Sequence, residues 1–335
     1  MWRRIQNIWH PDAFHYHHLI GKGKSFFEGW YFKLVEPDGQ KPCAIIPGVF
    51  LGQDAHAFIQ FLDGRAGKSW YHRYPLESFE AATGRFKVSI EKNTFGLQGI
   101  HLDIDSREPG QNQRILGTVN FHGLSPWPVT WYWPGVMGPY AFIPFMECNH
   151  GILSLDHPLS GELEVDGKKT SYDEGRGYME KDWGRSFPEG YVWTQSNHFE
   201  RPGICVTASV AVIPWLRGAF RGFLVGFLLD GALHRFTTYN GSRIEELSLT
   251  RTHLHLRIRN RTHRLTVDAE KAQGALLRAP YERDMLERVA ETMTSTVSVH
   301  LESLRSHETL FEGVGRHACM ELQGNLQAIL DKNHQ

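Results

Sequence analysis

Residues 177–199 carry the densest chemistry in the chain: Glu180, Lys181, Asp182, Arg185 and Glu189 stand among Trp183, Phe187, Tyr191, Trp193 and Phe199. Carboxyl groups set among large aromatics can hold a proton, because burial disfavours the charged form of an acid. Where this stretch is extended, alternation sends Glu180 and Asp182 to one face and Lys181 to the other. Further on, Gln195 and Asn197 share one face of a segment that alternates like a strand. Inward-facing amides are costly unless they bond each other or a ligand. Carboxylates, amides and aromatics together fit a pocket for a mostly apolar molecule with one polar end. The competing reading is a charged turn followed by a strand whose amides face water.

The same words occur near the start of the chain. Gly23-Lys24-Ser25-Phe26-Phe27-Glu28-Gly29-Trp30-Tyr31-Phe32 aligns with Gly184-Arg185-Ser186-Phe187-Pro188-Glu189-Gly190-Tyr191-Val192-Trp193. The interval is far longer than a solenoid unit. It predicts two similar domains opening with the same strand: a leader over 1–22, a first domain over 23–175 and a second over 176–330.

A chain of 335 residues suffices for two cores. Its formal net charge of -1 gives no global field toward nucleic acid or an anionic membrane. Cys43, Cys148, Cys205 and Cys319 are scattered, which reads as reduced, buried thiols rather than a disulfide framework or zinc site. His10, His15, His17 and His18 lack supporting ligands at metal spacing, so no metal is expected. The N-terminus has no signal-peptide core, and the longest apolar run, 222–229, is too short to span a bilayer. The expectation is a soluble, cytoplasmic protein, with a peripheral membrane contact left open as a means of collecting an apolar substrate.

The elements that must position these residues are strands. Short runs rich in Val, Ile, Phe and Tyr recur from residue 26, broken by Gly, Pro and Asp-Gly. Segments 26–35 and 43–51 form a first hairpin about Pro37-Asp38-Gly39. About eight strands precede residue 123, a number that closes into a barrel. A proline-rich connector over 124–150 holds Trp127, Trp131, Tyr132, Trp133, Tyr140, Phe142 and Phe145, suited to part-buried packing and part-exposed cavity roof. It ends in Glu147, Asn149 and His150, which need partners if buried. Asp166-Gly167 and Asp230-Gly231 mark further hairpins. Helical spacing occurs once, over 281–293, where Met285, Leu286, Val289 and Met293 share a side. The reading is an all-β chain of two antiparallel β-barrel domains with this short C-terminal helix.

Together these words resemble the tocopherol cyclase family. The likeness rests on Phe26-Phe27-Glu28-Gly29-Trp30-Tyr31-Phe32-Lys33, then Glu180-Lys181-Asp182-Trp183-Gly184, Phe187-Pro188, Trp193, Gln195, Asn197 and Phe199. The chain departs from the plant pattern Glu-Lys-Asn-Trp-Gly-Gly-Gly at Asp182 and at Arg185-Ser186. The resemblance implies two lipocalin-like barrels, as in the related carotenoid hydratases. It also implies ring closure of a prenylated hydroquinone to a chromanol, with a small apolar substrate, no cofactor and no nucleic-acid partner.

Such a closure needs a proton on the prenyl double bond, followed by attack of the phenolic oxygen on the tertiary cation. Glu180 and Asp182 are the first candidate donors, with Glu28 next. Trp30, Trp183 and Trp193 offer ring faces to the cation. Gln195 and Asn197 can orient hydroxyls, and Tyr31, Lys181, Glu147 and His150 complete the expected substrate-binding set. For Glu28 and Glu180 the alternative is a salt bridge to Lys33, Lys181 or Arg185. Two other activities stay open: a non-catalytic carrier of prenyl-quinones or other apolar ligands, and a hydratase or isomerase of another terpenoid.

Overall fold

The computed structural model describes residues 7–331 apart from 21, 23, 109, 216, 217, 282 and 283. It divides into two compact units, one of Met1–Phe187 with Leu276–Arg288 and one of Pro188–Ala275 with Val289–Gln335.

In the first unit the strands are Phe27–Val35 (β1), Cys43–Phe50 (β2), His56–Asp63 (β3), Lys68–Tyr74 (β4), Phe79–Ala81 (β5) and Lys87–Ile90 (β6). They continue as Asn93–Gly96 (β7), Gly99–Ser106 (β8), Gln113–Phe121 (β9), Cys148–Val165 (β10), Lys168–Ser171 (β11) and Arg176–Gly184 (β12). They make one sheet in the order β4-β3-β2-β1-β12-β10-β9-β8-β7-β6-β5, with β11 on β10. The register pairs given for these strands are antiparallel. Trp30, Phe32 and Leu34 of β1 enter the core with Ile59, Val119 and Met179. The leader is part of this core too: Phe14, Tyr16 and Leu19 are buried in it.

The second unit adds Gly190–Ser196 (β13), Ile204–Trp215 (β14), Gly218–Leu229 (β15), Ala232–Thr237 (β16) and Arg243–Leu249 (β17). His253–Arg259 (β18), His263–Glu270 (β19), Ala275–Tyr281 (β20), Asp284–Ser303 (β21), Thr309–Gly324 (β22) and the helix Leu326–Leu330 (α1) follow. Of the strands in this second sheet, β20 from Leu276 and β21 as far as Arg288 belong to the first unit. The order is β16-β15-β14-β13-β22-β21-β19-β18-β17, with β20 on β21. This repeats the order of the first sheet from β4 to β7, with β13 in the place of β1, β14 of β2 and β22 of β12, while β6 and β5 have no counterpart. The two copies of the Glu-Gly-aromatic word, at Glu28 and Glu189, mark the starts of β1 and β13, the paired central strands of the two sheets.

The structure corrects one expectation. Within 281–293 the described residues form no helix: Tyr281 ends β20, and from Asp284 the chain is β21. Residues 282 and 283 of the expected helix lie outside the described residues, and the helix at the C-terminal end is α1. Along β21 the buried positions alternate, Val289, Glu291, Met293, Ser295 and Val297, while Leu286 is exposed. Period 2 therefore governs, and pairing with β20, and with β22 from Glu291 on, supplies the ladder bonds a helix would have made internally. The first unit runs to Phe187, and β12 pairs with β1 on one side and β10 on the other.

The two Asp-Gly hairpins form as expected. Asp166 and Gly167 have φ of 49° and 78°, and Asp230 and Gly231 have φ of 50° and 80°. These left-handed pairs match the two-residue turn that suits strand twist. The four cysteines are free, three of them buried and Cys148 half-buried. Among the described residues no helix is long and apolar enough to cross a membrane.

Candidate active site

The candidate chemistry sits on β12, held between β1 and β10. Directly opposed residues on neighbouring antiparallel strands share a face. Tyr31 of β1 and Ile152 of β10 stand opposite Glu180, and His150 stands opposite Asp182. Trp30 stands opposite Lys181 on the other face. The residues grouped by the sequence are thus divided between two sides of one strand.

On the first side lies an acid–histidine cluster. His150 Nδ1 is 2.8 Å from Asp182 Oδ1, and His150 Nε2 is 3.6 Å from Glu180 Oε2. The Tyr178 hydroxyl donates to Glu180 Oε2 at 2.5 Å. Glu180 is buried, whereas Asp182 is half-buried. Burial pulls the His150 imidazole toward neutrality, but the charges of Asp182 and Glu180 and the bond to Asp182 outweigh it and push its pKa up to about 9. His150 is therefore an imidazolium at neutral pH. Lys33 stands opposite Tyr178 and is fully buried on this same face. The ligand atoms of His150, Glu180 and Asp182 lie within 4.8 Å of one another, so the trio could also hold a divalent cation.

On the second side, facing the core, Lys181 Nζ lies 2.5 Å from Glu28 Oε1. The leader closes over this pair. The His15 backbone N–H donates to both Glu28 oxygens at 2.9 and 3.0 Å, and Lys181 donates to the Ala13 carbonyl at 2.5 Å. Lys181 Nζ sits 5.0 Å from the Trp30 ring centre and 4.5 Å from that of Trp183, and His15 stacks on Trp183. Trp30 donates to the Asp12 carbonyl at 3.0 Å. Burial raises the Glu28 pKa, but Lys181 and His15 outweigh it and hold Glu28 below the ordinary carboxylate value. Lys181 is held below the ordinary lysine value, chiefly by burial. Glu28 thus forms with Lys181 the salt bridge that the sequence offers as an alternative.

The remaining expected residues fall elsewhere. The Glu147 carbonyl accepts from the Arg185 backbone N–H at 2.8 Å, and a Cβ on Gly184 would come within 2.1 Å of that oxygen. This close approach explains the glycine of the Glu-Lys-Asp-Trp-Gly word. Arg185 lies over the Phe26 ring at 5.7 Å. Trp193, Gln195 and Asn197 belong to the second unit, all buried. There Gln195 donates to Asn197 Oδ1 at 3.4 Å, and that oxygen lies 3.0 Å from His198 Nδ1.

Sequence reasoning missed Tyr178 and His15. Tyr178 precedes Glu180 by two, the spacing that puts both on one face of a strand, so its signal was present. His15 stands in a segment without periodicity, and nothing in the sequence links it to Glu28.

Two sheets that share the order of nine strands, one bearing a part-buried acid–histidine cluster on a central strand, define a duplicated all-β protein with a candidate acid–base site. The family model for tocopherol cyclase-like proteins matches residues 107–324, and the chain belongs to that family. The tocopherol cyclase of Zea mays chloroplasts is 22% identical over 323 residues, covering 79% of this chain and 66% of the maize protein. A probable chloroplastic tocopherol cyclase of Oryza sativa subsp. japonica is 23% identical over 318 residues, covering 79% of this chain and 67% of the rice protein. The chain therefore spans about two thirds of the length of these relatives. Among solved structures, that of CghA with Sch210972 matches with a TM-score of 0.56 at 14% identity, covering 90% of this chain and 89% of that one. A second CghA structure matches with a TM-score of 0.53 at 12% identity, covering 90% and 88%. These likenesses concern the fold.

Proposed function

We propose that this protein closes a prenylated hydroquinone to a chromanol, with Glu180 as the proton donor. Family membership supports the reaction class. The observation that carries the residue assignment is the placement of a buried Glu180 beside a His150–Asp182 pair. In this reading the His150 imidazolium passes its proton to the Glu180 carboxylate as the apolar substrate covers the cluster, and Glu180 delivers it to the prenyl alkene. The phenolic oxygen then bonds to the tertiary cation, and the phenolic proton returns through Glu180 to His150. The reaction is thus an isomerisation with no net proton consumed. Asp182 holds His150 beside Glu180, and His150 supplies and recovers the proton that Glu180 delivers. Tyr178 fixes the carboxyl through its hydroxyl, and Tyr31 lines the same face.

We infer also that each sheet closes into a lipocalin-like barrel, and that the substrate is gathered from a membrane surface. Exposure of Trp131, Tyr132, Phe142 and Phe145 in the connector supports the second inference. The test is turnover of a prenylated hydroquinone by Glu180→Gln. Loss of product with unchanged folding and quinol binding supports the assignment, and full activity removes Glu180 from it. A parent protein that binds the quinol and returns it unaltered would instead be a carrier.

A further inference from the structure

An open pocket of about 810 Å³ lies in the first unit, between the leader and the connector. It touches the Trp183 side of β12, opposite the side that bears Glu180. The volume is that of a site for one small organic molecule. Its two walls are joined where Trp9 donates to the Trp131 carbonyl at 2.8 Å and meets Phe142 edge-on at 5.8 Å. Leu19, Met137, Ile143 and Met146 make the lining largely apolar, while Lys22, Lys24 and Arg185 stand around it.

The charges are one-sided. Among the described residues no aspartate or glutamate lines the pocket. Among the described residues, no carboxylate lies within ion-pair distance of Lys22, Lys24 or Arg185, although the chain is close to neutral overall. An uncompensated cation cluster at the edge of an apolar cavity is complementary to an anionic head on an apolar tail. A neutral prenylated hydroquinone would leave those cations unused. We propose that this pocket binds one anionic amphiphile, an apolar chain ending in a phosphate or carboxylate, independently of the Glu180 face. The exposed Trp131, Tyr132 and Phe145 flank the segment through which such a chain enters.

The test uses dodecyl phosphate below its micellar concentration, titrated calorimetrically into the full chain, with dodecanol and inorganic phosphate as controls. One molecule of dodecyl phosphate should bind, several-fold more tightly than dodecanol, and inorganic phosphate should not compete. Lys24→Gln/Arg185→Gln should weaken dodecyl phosphate about fivefold to tenfold and leave dodecanol unaffected. Both positions are exposed, so the variant should keep the parent's circular dichroism. Met146→Trp should remove binding by filling the cavity. Glu180→Gln should bind dodecyl phosphate as the parent does, which separates this pocket from the proposed cyclisation site. Sedimentation with vesicles of phosphatidylcholine containing phosphatidylglycerol, but not of phosphatidylcholine alone, would identify a bilayer lipid as the source. Monomer binding without sedimentation would identify a free amphiphile. Equal affinity for dodecanol and dodecyl phosphate, indifference to the double substitution, or no binding of dodecyl phosphate would overturn the proposal.

Discussion

Lys181 Nζ and the Glu28 carboxylate lie 2.5 Å apart with neither side chain exposed, while Glu180, adjacent to Lys181 in sequence, faces the other side of β12. One strand thus carries a buried ion pair on its core face and an acid–histidine cluster on its other face. The two sets should respond to substitution in different ways.

Glu28→Gln leaves Lys181 charged and buried without its carboxylate, so it should destabilise the protein by about 3–5 kcal/mol. Glu28→Met/Lys181→Met removes both charges and should cost far less than either single change. Urea unfolding of the three variants measures this. A double variant as unstable as the sum of the singles would contradict the pairing.

Trp30 is fully buried on the core face, with its ring parallel to that of Phe86 at 5.1 Å. Trp30→Ala should therefore cost about 3–5 kcal/mol of stability through the cavity it leaves. Trp30→Phe, with less volume lost, should fold and show a kcat close to the parent's. A large fall in kcat for Trp30→Phe, at unchanged stability, would return Trp30 to the reaction.

Glu180→Gln should lower kcat by about 10²–10⁴, the usual contribution of a positioned acid. Asp182→Asn, which restores the plant pattern at that position, should have a smaller effect at neutral pH and move the alkaline limb of the pH profile to lower pH. The reason is that His150 then loses the largest favourable charge that keeps it protonated. An unchanged alkaline limb would separate His150 from catalysis.

The His150 pKa is raised from 6.5 to about 9 in the folded protein. Its stabilisation is therefore complete below pH 6.5 and is lost as pH rises through about 9. The gap in unfolding free energy between the parent and Asp182→Asn should be widest at the acid end of that window and narrow toward its alkaline end. A gap that does not change with pH would mean that His150 stays neutral.

Much of the fold was legible because its signals are local. Asp166-Gly167 and Asp230-Gly231 need φ above zero at both positions, and the repeated Glu-Gly-aromatic word announces β1 and β13. The segment 281–293 was misread because Val289 and Met293, four apart, satisfy both helical and strand periods. The residues that decide between the periods are Leu286, which is exposed, and Glu291, which is buried. Within the site, alternation separated Lys181 from Glu180 and Asp182. It did not carry across strands, because nothing local pairs Glu28 with Lys181 or His150 with Asp182. Those neighbours are set by the β1–β12 and β10–β12 registers. The same registers place β12 within the first sheet, although its sequence adjoins the second copy of the repeat.

The central claim is that the protein delivers a proton to an alkene. Purified protein incubated with a prenylated hydroquinone in deuterated water, followed by mass spectrometry, tests it most directly. The account predicts a chromanol with one carbon-bound deuterium, formed by the parent and lost in Glu180→Gln. Quinol recovered unchanged from folded protein that binds it, or a chromanol without deuterium on carbon, would contradict it.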